Sequence, residues 1–119
     1  MSDSILRSKA KEYAIQIVLL CRTMKKNGEE AALIQQLLRA GTSVGANLHE
    51  AQYAQSTKDF ISKLEIALKE CNESDYWIEL LHEVGSIPED DFHALHDRII
   101  ELRRMLVSSV RTMKDKDHG

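Results

Sequence analysis

Apolar side chains recur along most of this chain at steps of three and four, the repeat of one helix face. Leu6, Ala10, Tyr13, Ile17, Leu20 and Met24 make the first seam, and Asn27-Gly28 follows as a stop. This predicts a first helix over about Ser4–Lys26. A second runs from about Glu29 to Tyr53 or Ala54, with Ile34, Leu37, Gly41, Val44, Leu48 and Ala51 on its seam. Glu29 and Glu30 then suit the positive end of its dipole. Ser56 or Thr57 caps a third helix, with Asp59 in the first turn. Its seam is Phe60, Leu64, Ala67, Cys71, Ser74, Ile78 and Leu81. After Gly85-Ser86-Ile87, Pro88 suits the first helical position of a fourth helix, which carries Phe92, Leu95, Ile99, Leu102, Leu106 and Val110. The tail from Lys114 to Gly119 is expected to fray. No alternating strand pattern, linker or internal repeat is visible.

Long helices with short connections give antiparallel neighbours. The expected fold is therefore all-α, an antiparallel up-down-up-down four-helix bundle forming a single domain over residues 1–119. Within it, Ala40-Gly41-Thr42-Ser43-Val44-Gly45-Ala46-Asn47 is unusual: two glycines interrupt a helical period without stopping it. Each costs about 1 kcal/mol relative to alanine, so close packing of another backbone at Gly41 and Gly45 is expected. Counting from the turns places Gly41 opposite Ala14 and Gly45 opposite Ala10 on the first helix. The same counting places them opposite Cys71 and Ala67 on the third, so either neighbour accounts for the glycines. In this register Arg39 faces Glu73 and Glu50 lies near Lys63, as ion pairs between the second and third helices.

The helices are more apolar than one core requires. Ile17-Val18-Leu19-Leu20-Cys21 is continuous, Ile66, Trp77 and Leu80 lie beside the third seam, and Ile100, Met105 and Val107 beside the fourth. A helix burying one face needs only three or four apolar residues per two turns. A second buried face follows, and with it a homo-oligomer.

At 119 residues with net charge −3, the chain has room for a core and no global field to attract nucleic acid. The charge is uneven. Residues 1–28 hold six basic and two acidic groups, while residues 56–86 hold three basic and seven acidic ones. Those segments suit electrostatic pairing, within one subunit or between two. Cys21 and Cys71, the only cysteines, sit in apolar stripes and read as reduced buried thiols of a cytoplasmic protein. The apolar run before Cys21 is short and is followed by Arg22, Lys25 and Lys26, so it is not a secretory signal, and no segment is a membrane span.

Candidate chemistry is sparse. The Gly41 to Gly45 segment follows no strand and lacks the Lys-Ser/Thr of a phosphate loop. Glu79-Leu80-Leu81-His82 has one copy of the E-x-x-H spacing, where a di-iron bundle needs two plus two further glutamates. His93, His96 and Asp97 suit at most an adventitious ion, and Ser43 and Thr42 lack a His-Asp pair. No catalytic residue, metal site or cofactor is expected. Arg7, Lys9, Lys11, Arg22, Lys25 and Lys26 are the candidates for nucleic-acid contact, with Arg103, Arg104 and Arg111 as the alternative set.

The run Gln36-Leu37-Leu38-Arg39-Ala40-Gly41-Thr42-Ser43-Val44-Gly45-Ala46-Asn47-Leu48-His49-Glu50-Ala51 resembles the signature of the 23S rRNA intervening-sequence proteins, also labelled the S23 ribosomal protein family. Asp59-Phe60-Ile61-Ser62-Lys63-Leu64 and Ile66-Ala67-Leu68-Lys69-Glu70-Cys71-Asn72-Glu73-Ser74-Asp75-Tyr76-Trp77 extend the likeness. It departs only at Ala40, Cys71 and Ser74, where serine, alanine and threonine are frequent. The resemblance implies a four-helix subunit in a homopentameric ring with no enzymatic activity. It also implies kinship of architecture with bundle accessory proteins of retroelements, which work with a reverse transcriptase and RNA. Arg39, Ser43, Asn47, Glu50, Lys63, Glu70, Glu73, Tyr76 and Trp77 match its polar and aromatic positions and are expected to make structural contacts. The function expected is a cytoplasmic, bacterial, non-enzymatic scaffold that binds itself and either RNA, DNA or a nucleic-acid enzyme. The alternative is a purely structural homo-oligomer.

Overall fold

The computed structural model describes residues 2–118 and contains four helices: α1 (Ser2–Lys26), α2 (Ala31–Ala51), α3 (Thr57–Glu83) and α4 (Glu89–His118). No strand is present among the described residues. The longest helix, α4, has 30 residues, about 45 Å at 1.5 Å per residue, and the molecule measures 51 × 22 × 20 Å.

The turns explain the boundaries. Gly28 has φ 77° and Gly85 has φ 87°, the left-handed region that only glycine enters freely. At the first, the Gly28 N–H donates to Lys25 O and the Glu29 N–H to Met24 O. At the second, the Gly85 N–H donates to His82 O and the Ser86 N–H to Leu81 O. Both satisfy the last carbonyls of their helix in the Schellman pattern. Ser56 caps α3, its Oγ accepting from the Asp59 N–H at 3.0 Å, while Asp59 Oδ2 accepts from the Gln55 N–H at 3.1 Å.

Several expectations at helix ends shift: α1 begins at Ser2 rather than about Ser4, and α2 ends at Ala51 rather than at Tyr53 or Ala54. α2 begins at Ala31, because the Glu29 N–H is taken by the α1 cap and Glu29 Oε2 accepts from Ser86 Oγ at 2.6 Å, tying the two turns at this end together. Pro88 lies just before α4, its carbonyl accepting from the Phe92 N–H. The tail does not fray at Lys114: α4 runs on to His118, and Lys114 Nζ reaches Glu65 at 2.9 Å.

Helices adjacent in sequence pack together, and α4 closes on α1 along a looser seam, so α1 and α3 stand at opposite corners. Residue numbers fall along α4 as they rise on α1 and on α3. On α1 and α4, Lys9 meets Glu101 and Glu12 meets Arg98. On α3 and α4, Glu65 meets Lys114, Asp75 meets Arg103 and His82 meets Glu89.

Most of the predicted seam positions are the core: Leu6, Tyr13, Ile17, Met24, Leu37, Leu64, Ile78, Leu81, Ile99, Leu102 and Leu106 are fully buried, whereas Phe60, Phe92 and Val110 lie only partly buried at its ends and Ile61 is buried beside Phe60. Tyr13 and Ser74 are its polar members. Ser74 Oγ donates to Cys71 O at 2.9 Å and therefore accepts from Tyr13 OH at 2.8 Å, so both hydroxyls are satisfied. Burial pushes the Tyr13 phenol far above its ordinary range.

Candidate functional site

The glycine segment is a packing device, and helix α1 is its partner. A Cβ at Gly45 would lie 3.5 Å from Ala10 O and 3.8 Å from Ala10 Cβ, so there the α1 backbone itself is the neighbour. Gly41 differs. It does not face Ala14: a Cβ there would lie 2.9 Å from Ile17 Cγ1 and 3.0 Å from Cγ2, so a side chain fills its space. The polar residues of this segment turn back on their own helix. Thr42 and Ser43 hydroxyls donate to Leu38 O and Arg39 O, both at 2.7 Å, and Asn47 Nδ2 donates to Ser43 O at 2.8 Å. None is presented as a nucleophile or ligand.

Arg39 bridges α2 to α3 through both ends of its guanidinium. One nitrogen donates to Glu70 Oε2 at 2.8 Å and another to Glu73 Oε2, which also accepts from Trp77 Nε1 at 3.2 Å. The Trp77 indole first, and then Arg39, hold the Glu73 carboxyl below its usual range. The Glu50–Lys63 pair expected alongside does not form. Glu50 points to solvent at the last turn of α2, and Lys63 is only half-buried with no ion-pair partner among the described residues.

The six candidate cations of α1 do not form one patch. Lys9 is tied to Glu101 on α4 at 3.3 Å, and half-buried Arg7 lines a small cleft with Leu48 and Phe60. Lys11, Arg22, Lys25 and Lys26 are exposed and have no ion pair among the described residues. The acidic third segment does not neutralise them within the subunit, because α1 and α3 are diagonal. Its acids turn to Arg39 on α2 and to Arg103 and Lys114 on α4. Of the alternative set, Arg103 is held by Asn72 at 2.8 Å and Asp75 at 2.6 Å, while Arg104 and Arg111 stay exposed.

Three of the five histidines, His82, His93 and His96, gather where α3 turns into α4, around an aromatic side chain. The His82 ring stacks on Phe92 at 3.9 Å, His96 stacks on it at 5.3 Å, and Glu89 lies 2.8 Å from both His82 and His93. The hydrogen bond from His82 is the largest influence holding the Glu89 carboxyl below its ordinary range. Glu79 points to solvent, so the E-x-x-H pair does not converge. No group of three or more His, Cys, Asp or Glu side chains is disposed to hold a metal among the described residues. Near the same end lies a groove of about 300 Å³ between α1 and α4, lined by Gln16, Leu19, Thr23, Pro88, Ala94 and Leu95. It is open, with no nucleophile paired to a base.

Against known proteins, residues 2–108 match the family model described as 23S rRNA-intervening sequence protein. The chain belongs to that family. Among solved structures, the chain is similar to a crystal structure at 1.70 Å resolution of a protein of unknown function from the S23 ribosomal protein family, from Bacteroides thetaiotaomicron. The two are 39% identical with a TM-score of 0.89, over 93% of this chain and 99% of the other. No functionally curated protein matches. Neither family nor neighbour indicates an enzyme. No helix of this family member is long and apolar enough to cross a membrane among the described residues.

Sequence reasoning missed the Tyr13–Ser74 hydroxyl pair and the Glu29–Ser86 tie between turns. The first had a signal: two polar groups on apolar seams require partners. The second had none, because it joins residues 57 apart across loops.

Proposed function

We propose that this chain is a non-enzymatic, self-associating scaffold: an up-down-up-down bundle whose copies form a ring in the bacterial cytoplasm, the pentamer being the form the family resemblance implies. The opposed numbering of the ion pairs that α4 makes with α1 and with α3 supports the up-down order. The observation that carries the reading is apolar surface left uncovered on a chain whose core is already closed. Ile15 is 52% exposed, Leu19 53% and Tyr76 59%, and Ile100 and Val107, each 38% exposed, share one face of α4 about two turns apart. Single exposed apolar residues are ordinary, whereas stripes of them mark interfaces. Size-exclusion chromatography with light scattering tests it: the scaffold elutes as a multiple of 13.6 kDa, and a strict monomer at micromolar concentration rejects it.

Nucleic-acid binding is a second reading, favoured by the exposed and unpaired Lys11, Arg22, Lys25 and Lys26. Repeated around a ring, these modest charges become multivalent. Binding to structured RNA then shows little sequence preference and falls steeply with salt, as neutralised phosphates release counterions. A mobility shift at about 50 mM salt that weakens in Lys25→Glu/Lys26→Glu supports it. No shift by the intact oligomer leaves a structural homo-oligomer, and a shift unchanged by the substitutions moves the contact to Arg104 and Arg111 on α4.

A further inference from the structure

Part of the charge on α1 and α3 finds no partner inside one subunit: Lys11, Arg22, Lys25 and Lys26 on α1 and Glu79 and Glu83 on α3 are exposed and make no ion pair among the described residues. Opposite corners separate the two helices, and no ion pair joins them among the described residues. Each helix also presents an outer stripe, of which one α3 member, Glu73, is already engaged by Arg39 of α2. On α1 this is Lys11, Ile15, Leu19, Arg22 and Lys26, all exposed and spaced by four, four, three and four residues along one face. Its apolar members, Ile15 and Leu19, are 52% and 53% exposed. On α3 the outer stripe is Ile66, Lys69, Glu73, Tyr76, Leu80 and Glu83, again at steps of three and four, with exposed Glu79 beside it. Tyr76 is its most exposed apolar member at 59% and packs edge-on against Trp77 at 5.0 Å. Lys69 carries the opposite sign and Glu73 is held by Arg39 of α2, so the acids this face leaves unpaired are Glu79 and Glu83. One stripe is apolar and basic, the other apolar and acidic.

We propose that the α1 stripe of one copy docks on the α3 stripe of a second copy, head to tail. The inference rests on the scaffold reading and deepens it by naming the two surfaces. Charge complementarity selects the occupant: Arg22 and Lys26 repel a second α1 and attract Glu79 and Glu83. Apolar contact between Ile15 and Leu19 on one side and Ile66, Tyr76 and Leu80 on the other supplies the binding energy. Because the stripes sit at opposite corners, one contact cannot be its own two-fold mate. The interface is therefore heterologous, the kind that closes into rings when the rotation between copies permits.

The test uses two charge-reversed proteins, Arg22→Glu/Lys26→Glu and Glu79→Lys/Glu83→Lys, with light scattering beside the wild type. All four residues are exposed, and circular dichroism checks that the helices persist. Each variant alone is expected to fall to the mass of one 13.6 kDa chain, and an equimolar mixture to regain a higher mass, because each restores the other's complement. Leu19→Ser, which changes no charge, gives the same loss of mass and serves if a reversal unfolds the chain. A wild-type oligomer whose variants keep their mass overturns this pairing and leaves the scaffold reading standing. Monomeric variants that do not re-associate on mixing overturn it as well. A monomeric wild type overturns both readings. If Arg22→Glu/Lys26→Glu loses an RNA mobility shift while keeping its mass, these cations face phosphate and the docking proposal falls.

Discussion

Gly41→Ala and Gly45→Ala make the same chemical change on the same helix, yet their effects should have opposite signs. As helix interior changes, each gains about 0.8–1 kcal/mol of propensity. At Gly45 nothing opposes the gain, since the new methyl would sit 3.5 Å or more from Ala10, an ordinary contact. At Gly41 the methyl would meet Ile17 Cγ1 at 2.9 Å, Cγ2 at 3.0 Å and Cβ at 3.3 Å. Ile17 is fully buried, and its β-branching leaves no rotamer that clears both γ carbons. Overpacking of this kind costs about 1–3 kcal/mol. The net expectation is up to about 1 kcal/mol of stabilisation for Gly45→Ala and a loss of up to about 2 kcal/mol for Gly41→Ala. Urea unfolding followed by circular dichroism, at one fixed protein concentration, reads the difference. With a slope of about 1–3 kcal/mol per molar, each kcal/mol displaces the midpoint by roughly 0.3–1 M. Ile17→Val keeps Cβ and both γ carbons and should not rescue Gly41→Ala, whereas Ile17→Ala removes the γ carbons and should cost less in that background than in the wild type. Equal or higher stability of Gly41→Ala relative to Gly45→Ala would refute the assignment of Ile17 as the group that fills the glycine's space.

Three further outcomes follow from the polar groups. Ser74→Ala should destabilise by about 1–3 kcal/mol, because it strands the buried Tyr13 hydroxyl, and Tyr13→Phe by only about 1 kcal/mol, because Ser74 keeps its bond to Cys71 O; chemical denaturation ranks the two. Burial pushes the Cys21 and Cys71 thiols up to about 11 from an ordinary 9, so their contribution to stability is complete below pH 9 and is lost as pH rises toward 11; native alkylation at pH 8, followed by mass spectrometry, should be far slower than in urea. Trp77 and Arg39 hold Glu73 below the usual carboxylate range, so its contribution is complete above pH 4.5 and fades as pH falls through the lowered value; Arg39→Ala should shrink that acid-side loss of thermal midpoint, at a cost below about 1 kcal/mol at neutral pH because the pair is largely exposed.

Helix number, seams and turns were legible because each depends on local spacing. Leu6 to Met24 and Phe92 to Leu106 repeat at the helical period, and Gly28 and Gly85 fall where only glycine can close the helix. Ser56 was legible as a cap for the same reason. What escaped depends on rotation about the helix axis and on side-chain length. Counting residues from the turn put Gly45 against Ala10 but put Gly41 against Ala14, where Ile17 lies one position further round the same face. Equal counting allowed Glu50 to reach Lys63, yet Glu50 sits where α2 ends and turns outward. The pairing of α1 with α3 looked attractive from segment charge, but charge sums say nothing of which helices are diagonal. The candidate surfaces were only half visible: the surplus of apolar residues on α1 could be counted, but that Ile15 and Leu19 share a face with Lys11, Arg22 and Lys26 needed the buried seam as reference.

Self-association is the claim on which the functional account stands, and the mass of the wild-type particle in solution tests it most directly. Light scattering across a size-exclusion peak, loaded at micromolar concentration in moderate salt, should report one species at a multiple of 13.6 kDa, with a pentamer the expected form. A single species at 13.6 kDa that persists as the loading concentration is raised would contradict the account, and the exposed apolar stripes of α1 and α3 would then need another explanation.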